Sequence, residues 1–353
     1  MKRFFAGILA MALFAGVLSG CSVTQVHVCA PQEGAQETSD TPAVSAAEGS
    51  VKTGLAVVTS LDGSAGASED EPGSASFDVT LAAVTVDDAG VIDSCVIDGV
   101  KTTVNFDAAG VITTDLSAPV QSKNELGEDY GMKAYGGAAY EWNEQAAALA
   151  QYAVGKTVEE LKNGAIDESG RAADADLASV ATIYLGGYVS AIEAAVANAQ
   201  HLGAQQGDRL ALTTTASLDS SQNASAEGDG IAQLDVNIAV VTFSGDTITS
   251  CLLDGVQPAV NFDATGTVTS DLTAPIQTKN ELGENYGMKA YGGAIAEWNE
   301  QAASFAAYVT GKTAEEVSGI AVDESTKATD ADLAASVTIA VGGFQELIAK
   351  AAQ

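Results

Sequence analysis

One block of this chain is written twice. Residues 117–146 read SAPVQSKNELGEDYGMKAYGGAAYEWNEQA, residues 273–302 read TAPIQTKNELGENYGMKAYGGAIAEWNEQA, and 24 of the 30 positions are identical. The offset of 156 residues holds without a gap from Ser94/Ser250 to Gly187/Gly343. A solenoid unit runs about 20–50 residues, so a period this long is the size of a domain. The chain must therefore build one fold twice. The expected division is a first repeat over 51–200, a link over 201–208 and a second repeat over 209–353.

Each repeat opens as β structure. Phe77, Val79 and Leu81 alternate with Asp78 and Thr80, the period of a half-buried strand. The next apolar pair, Val84 and Val86, is out of phase, which predicts a bulge near Ala82-Ala83. Asp87 to Gly90 is a turn signal before Val91–Ile97, and Val104 to Ile112 reads as a further hairpin. Helices follow. Trp142, Ala146, Leu149 and Tyr152 have helical spacing, Gly155 stops that helix, and Thr157 with Glu160 forms a capping box that Thr313 and Glu316 repeat. A last amphipathic helix is expected near Tyr188–Ala199. Sheet first and helices after is the order of an α+β fold. The expectation is two tandem homologous α+β domains, each an antiparallel sheet followed by packed helices.

Residues 1–20 read as a leader. Lys2 and Arg3 precede an apolar run from Phe4 to Leu18 that is too short for a comfortable membrane span. It ends in Leu18-Ser19-Gly20-Cys21, which resembles the lipobox of bacterial lipoproteins. That resemblance makes Cys21 the lipidated N-terminus, residues 21–50 a flexible tether, and the extracytoplasmic face of the membrane the place of work. Without Lys2 and Arg3 the chain holds 13 basic against 47 acidic residues, a net of −34. Such a surface repels phosphate backbones, so nucleic acid is excluded as a partner.

Several chemistries fail on residue inventory. Gly155-Lys156-Thr157 lacks the first glycine of a P-loop, because Ala150 stands there. The two histidines, His27 and His201, lie in linkers, so neither repeat can hold a Ser-His-Asp or Cys-His site. Asp174-Ala175-Asp176 and Asp330-Ala331-Asp332 lack the glycine and distal glutamate of a calcium loop and read as helix caps. Cys95 and Cys251 occupy equivalent strand positions and read as core; no CxxC pair supports a metal. A hydrolase using paired carboxylates stays open, but no pair stands out.

Two segments remain as candidate sites. Asp176-Leu177-Ala178-Ser179-Val180-Ala181-Thr182, with Asp332 to Thr338 in the second repeat, resembles the flavinylation motif of FMN-binding domains, Asp-x-x-Ser/Thr-Gly-Ala-Thr. The strands from Gly73 to Val86, the turn before Ile92 and the helix after Gly187 correspond loosely to that family, over about half of each repeat. The resemblance implies covalent FMN esterified to Thr182 and Thr338, with Asp176, Asp332 and Ser179 in the motif, a flavin transferase, and a membrane redox partner. The motif glycine is replaced by Val180 and Ser336, and the first repeat fits better.

The second candidate is the repeated block itself. Tyr130 and Tyr135, with Tyr286 and Tyr291, could stack on a planar ligand, and Lys123, Lys133, Lys279 and Lys289 could meet an anionic group. Two functions follow: a flavin-bearing electron carrier, or a cofactor-free surface lipoprotein that recognises a small ligand, a glycan or a partner protein.

Overall fold

The structure is a computed structural model that describes residues 49–353. The leader, Cys21 and nearly all of the tether lie outside the described residues. The first half contains β1 (Lys52–Ser60), β2 (Gly73–Val86) and β3 (Ile92–Phe106), then α1 (Lys123–Leu126), α2 (Met132–Gly136), α3 (Trp142–Ala153), α4 (Val158–Ala165), α5 (Ala175–Val180) and α6 (Gly186–Ala197). The second half contains β4 (Arg209–Ser217), β5 (Gly230–Gln233), β6 (Asp235–Ser244), β7 (Thr247–Val256) and β8 (Ala259–Phe262). Its helices are α7 (Lys279–Leu282), α8 (Met288–Gly292), α9 (Trp298–Val309), α10 (Ala314–Ser318), α11 (Ala331–Ala334) and α12 (Gly342–Ala351). The protein is α+β, with antiparallel sheets ordered β1-β2-β3, β4-β6-β7 and β5-β8.

The second half breaks its strands where the first does not. Pro258 takes the place of Thr102, and proline has no N–H to give a ladder. The counterpart of β3 therefore splits into β7 and β8. Leu234 N bonds the Pro258 carbonyl at 3.0 Å across the break.

The expected bulge near Ala82-Ala83 is not there. Strand β2 runs unbroken through those residues, and the irregularity lies at Thr85/Val86, opposite Ile92 and Ser94. The apparent phase slip is a change in which face is covered. Phe77, Val79, Leu81 and Ala83 point into an apolar layer shared with the other half, while Ala82 and Val84 point into a layer under α3 and α6. Beyond Leu81 both faces of β2 are buried, so alternation fades from the sequence.

The shared layer joins the halves. Phe77, Val100 and Phe106 meet Leu234, Val236 and Phe262 there, and the Phe106 and Phe262 rings stack at 4.0 Å and 3°. The result is four layers: helices, sheet, sheet, helices. Reciprocal loop contacts reinforce it, with Ala67 N donating to Gly266 O at 2.7 Å and Ala224 N to Gly110 O at 2.8 Å. Gly110 has φ +68, and a Cβ there would fall 2.6 Å from the Ala224 Cβ, so glycine is required on both counts.

The segment expected as a link is built into this body. Val51 N donates to Ala204 O at 3.0 Å, Thr53 and Gln200 exchange backbone bonds, and Ala204 is buried. The capping boxes at Thr157/Glu160 and Thr313/Glu316 are present. No helix among the described residues is long and apolar enough to cross a membrane.

Candidate functional site

The threonines of the flavin-like motif are held by a buried glutamine. Gln145 Oε1 accepts from Thr182 N (2.7 Å), Thr182 Oγ1 (3.2 Å) and Ile183 N (3.1 Å). Gln301 repeats this with Thr338 N (2.7 Å), Thr338 Oγ1 (3.0 Å) and Ile339 N (3.2 Å). Their Nε2 atoms donate to Tyr140 O and Ala296 O, which fixes each amide's orientation. Asp174 and Asp330 cap α5 and α11 by accepting two backbone N–H groups each. Asp176 and Asp332 stay exposed, and Ser179 Oγ donates to its own helix at Asp176 O, 2.6 Å away. Val180 lies inside α5, and Thr326 is the one non-glycine residue with positive φ among the described residues. The tight turn that the motif glycine would serve is not made. A phosphoester on Thr182 would cost the hydroxyl its bond to Gln145. These residues form a structural clamp and fit a covalent flavin poorly.

The repeated block does not converge on one pocket. Lys123 is buried, with Nζ 3.1 Å from Asp78 and 5.1 Å from the Trp142 ring centroid. Lys279 sits 5.0 Å from the Trp298 ring and 5.5 Å from that of Tyr286, and burial lowers its pKa. Tyr130 tilts against Trp142 at 6.4 Å, and Tyr286 Oη donates to Gln257 at 3.0 Å. Lys133 pairs with Glu144 and Glu128, and Lys289 with Glu300. Tyr135 and Tyr291 point outward, 92% and 93% exposed. So Lys123, Tyr130, Lys279 and Tyr286 surround the tryptophans, while Tyr135 and Tyr291 face solvent.

Buried carboxylates make the same contacts in both halves. Glu141 accepts from Met132 N (2.8 Å) and Lys133 N (3.0 Å), holding the start of α2; Glu297 does the same for α8. Asp98 Oδ1 accepts from Gly99 N and Asn124 N, and Asp254 repeats the pair with Gly255 and Asn280. Burial raises both aspartates to about 6. Asp98 and Asp254 stand in register inside apolar strands, a signal that could have marked them from sequence.

Two clefts occur at equivalent places. The first, 460 Å³, lies between β3 and α3 and is lined by Cys95, Ile97, Asn124, Asn143, Ala147 and Ala150. The second, 410 Å³, lies between β7 and α9 and is lined by the counterparts Cys251, Leu253, Asn280, Asn299, Ala303 and Ala306. Gln200 and Leu202 add a wall to the second. Asn143 Oδ1 and Asn299 Oδ1 are buried and accept no hydrogen bond from the protein. Both cysteines are free thiols, pushed up to about 12 by burial, so neither is a thiolate nucleophile at neutral pH. Among the described residues no group of three or more His, Cys, Asp or Glu is placed to hold a metal ion. The asparagines escaped the sequence reading because a polar residue in the first turn of a helix reads as solvated.

No protein-family model, curated protein or solved structure matches this chain.

Proposed function

We propose that this chain is a lipid-anchored extracytoplasmic binding protein, built by tandem duplication of one α+β domain, whose ligand seats are the twin clefts. One observation carries the reading: each cleft is lined by an asparagine, Asn143 or Asn299, whose amide oxygen lies buried without a donor from the protein and reaches the cleft by a turn of the side chain. Such an atom costs about 1–3 kcal/mol. Its occurrence at the same place in both halves supports a ligand that brings the donor. Alanines from α3 and α9 and the protonated cysteines make the walls mostly uncharged. A small neutral molecule with an N–H or O–H donor, an amide or a sugar hydroxyl, suits them. The Lys2-Arg3 start, the apolar run and Cys21 support the anchor.

The reading is tested by following the side-chain amide resonances of Asn143 and Asn299 while small amides and monosaccharides are added. Ligands are expected to shift both amides with a stoichiometry of two. Ala147→Leu and Ala303→Leu, at exposed positions on the cleft walls, should each remove one site. Ligands that bind undiminished when both clefts are plugged would sink it.

A flavin carrier, loaded by a flavin transferase and serving a membrane redox partner, is the competing reading. Arg171 favours it, since its guanidinium donates to the Thr182 carbonyl and could meet a phosphate. Protein co-expressed with such a transferase is expected to be colourless after denaturation. A visible flavin band that survives denaturation and vanishes in Thr182→Ala plus Thr338→Ala would replace the cleft reading.

A further inference from the structure

The two halves part company at one lysine. Lys350, on α12, donates to the Thr214 carbonyl at 2.6 Å and pairs with Oε1 of Glu125 in the other half. Its four-carbon stem crosses between the halves. The corresponding position on α6 is Ala194, and the corresponding acceptors are the Val57 carbonyl and Glu281. One turn further along α6, beside Ala197 and Asn198, lies a groove of 460 Å³ whose other walls include Val57, Leu252, Asp254 and Glu281.

The groove keeps the chemistry that Lys350 satisfies on the other side. Glu125 and Glu281 each spend Oε2 on a helix cap, accepting Ser122 N at 2.9 Å and Thr278 N at 2.8 Å. That leaves Oε1 of Glu281 in the position whose counterpart on Glu125 meets the ammonium. Asn198 Nδ2 donates to Leu55 O at 3.2 Å, so the β1 carbonyls at this parity face the groove, and Val57 O is the next one along. Among the described residues Glu281 forms no ion pair. The half without the lysine has the acceptors of the seat.

We propose that this groove binds a primary alkylammonium group, with its NH3+ between the Glu281 carboxylate and the Val57 carbonyl, as the Lys350 ammonium lies between Glu125 and Thr214. The intramolecular contact is the template: three N–H donors, a carboxylate, a carbonyl and a short aliphatic stem. The groove meets the β7–α9 cleft at Leu252 and Asn280, but an ammonium seat here does not depend on what the twin clefts hold.

The test is calorimetric titration with n-butylammonium chloride, which carries the lysine stem and charge, at physiological ionic strength. There the screening length is about 8 Å, which damps diffuse attraction to the acidic surface. Wild-type protein should bind one equivalent. Ala194→Lys, which supplies the missing ammonium from the chain, should bind none, and Lys350→Ala, which opens the matching groove, should bind two. n-Pentanol, neutral and similar in shape, should bind at least ten-fold more weakly. Nα-acetyl-lysine amide offers the same ammonium from a peptide. Its binding ten-fold tighter than n-butylammonium would identify a protein-borne lysine as the source, and equal or weaker binding a free amine. Equal binding by wild type and Ala194→Lys overturns the proposal, as does the absence of a second site in a folded Lys350→Ala. The Ala194→Lys arm removes no packing, so it decides even if the other variant fails to fold.

Discussion

Replacing Phe106 by alanine is expected to remove about 4 kcal/mol of unfolding free energy, and to remove it from both halves at once. The ring is fully buried in the shared layer and stacks on Phe262 at 4.0 Å. It also occupies the space a side chain at Gly73 would need, 2.2 Å from that Cβ position, so that neighbour has no side chain to fill the cavity. Beyond the area buried, an aromatic pair contributes about 0.5–1.5 kcal/mol. Phe262→Ala loses that same term, so the double variant should cost about 1 kcal/mol less than the sum of the singles. Each half carries one tryptophan, Trp142 or Trp298, which allows each to be watched separately. In denaturant titrations of Trp142→Phe and Trp298→Phe backgrounds, the two fluorescence transitions should coincide and shift together when Phe106 is truncated. Two separate transitions, with only the first half moved by Phe106→Ala, would show that the shared layer does not couple the halves.

What was legible in the sequence was what is local. The caps at Thr157/Glu160 and Asp174 involve residues two or three apart, so their chemistry is visible without a fold. Alternation at Phe77, Val79 and Leu81 marked a covered face, but what covers it comes from the other repeat and leaves no local trace. The same gap misdirected the reading of Lys123. Its charge beside Tyr130 suggested a ligand's anionic group, whereas its partner is Asp78, 45 residues earlier. Thr182 shows the same gap, since the Gln145 that accepts from its hydroxyl lies 37 residues away on α3. Among the described residues, the features that best distinguish a ligand seat are Asn143, Asn299 and the Ala194/Lys350 difference. All three depend on which side chains the fold leaves unanswered, and periodicity does not report that.

Asp98 and Asp254 should make the protein less stable as pH rises from about 4 to above 6. Burial is the largest influence on both carboxyls and lifts them from the ordinary 3.8 to about 6, outweighing the hydrogen bonds that favour the charge. The sign follows from proton binding. Each aspartate holds its proton more tightly folded than unfolded, so folding is favoured where the folded form is protonated and that advantage is lost as pH rises through about 6. The gap between 3.8 and about 6 corresponds to about 3 kcal/mol per site at neutral pH. Exposed carboxylates pull the other way at lower pH: Ser117 beside Asp115 and Ser169 beside Asp167 hold those groups below their ordinary value, so their contribution is lost only as pH falls below 3.8. A stability maximum at about pH 4 follows. Asp98→Asn keeps an oxygen for Gly99 N and Asn124 N and presents an amide N–H toward Ser122, while removing the buried charge. Its expected result in denaturant titrations is a gain of up to about 3 kcal/mol at pH 7.5 and only about 1 kcal/mol at pH 4.5, with Asp254→Asn adding to it because the two sites share no partners. A gain of the same size at both pH values would mean that the variant acts through packing and that the buried carboxyl carries no titration penalty.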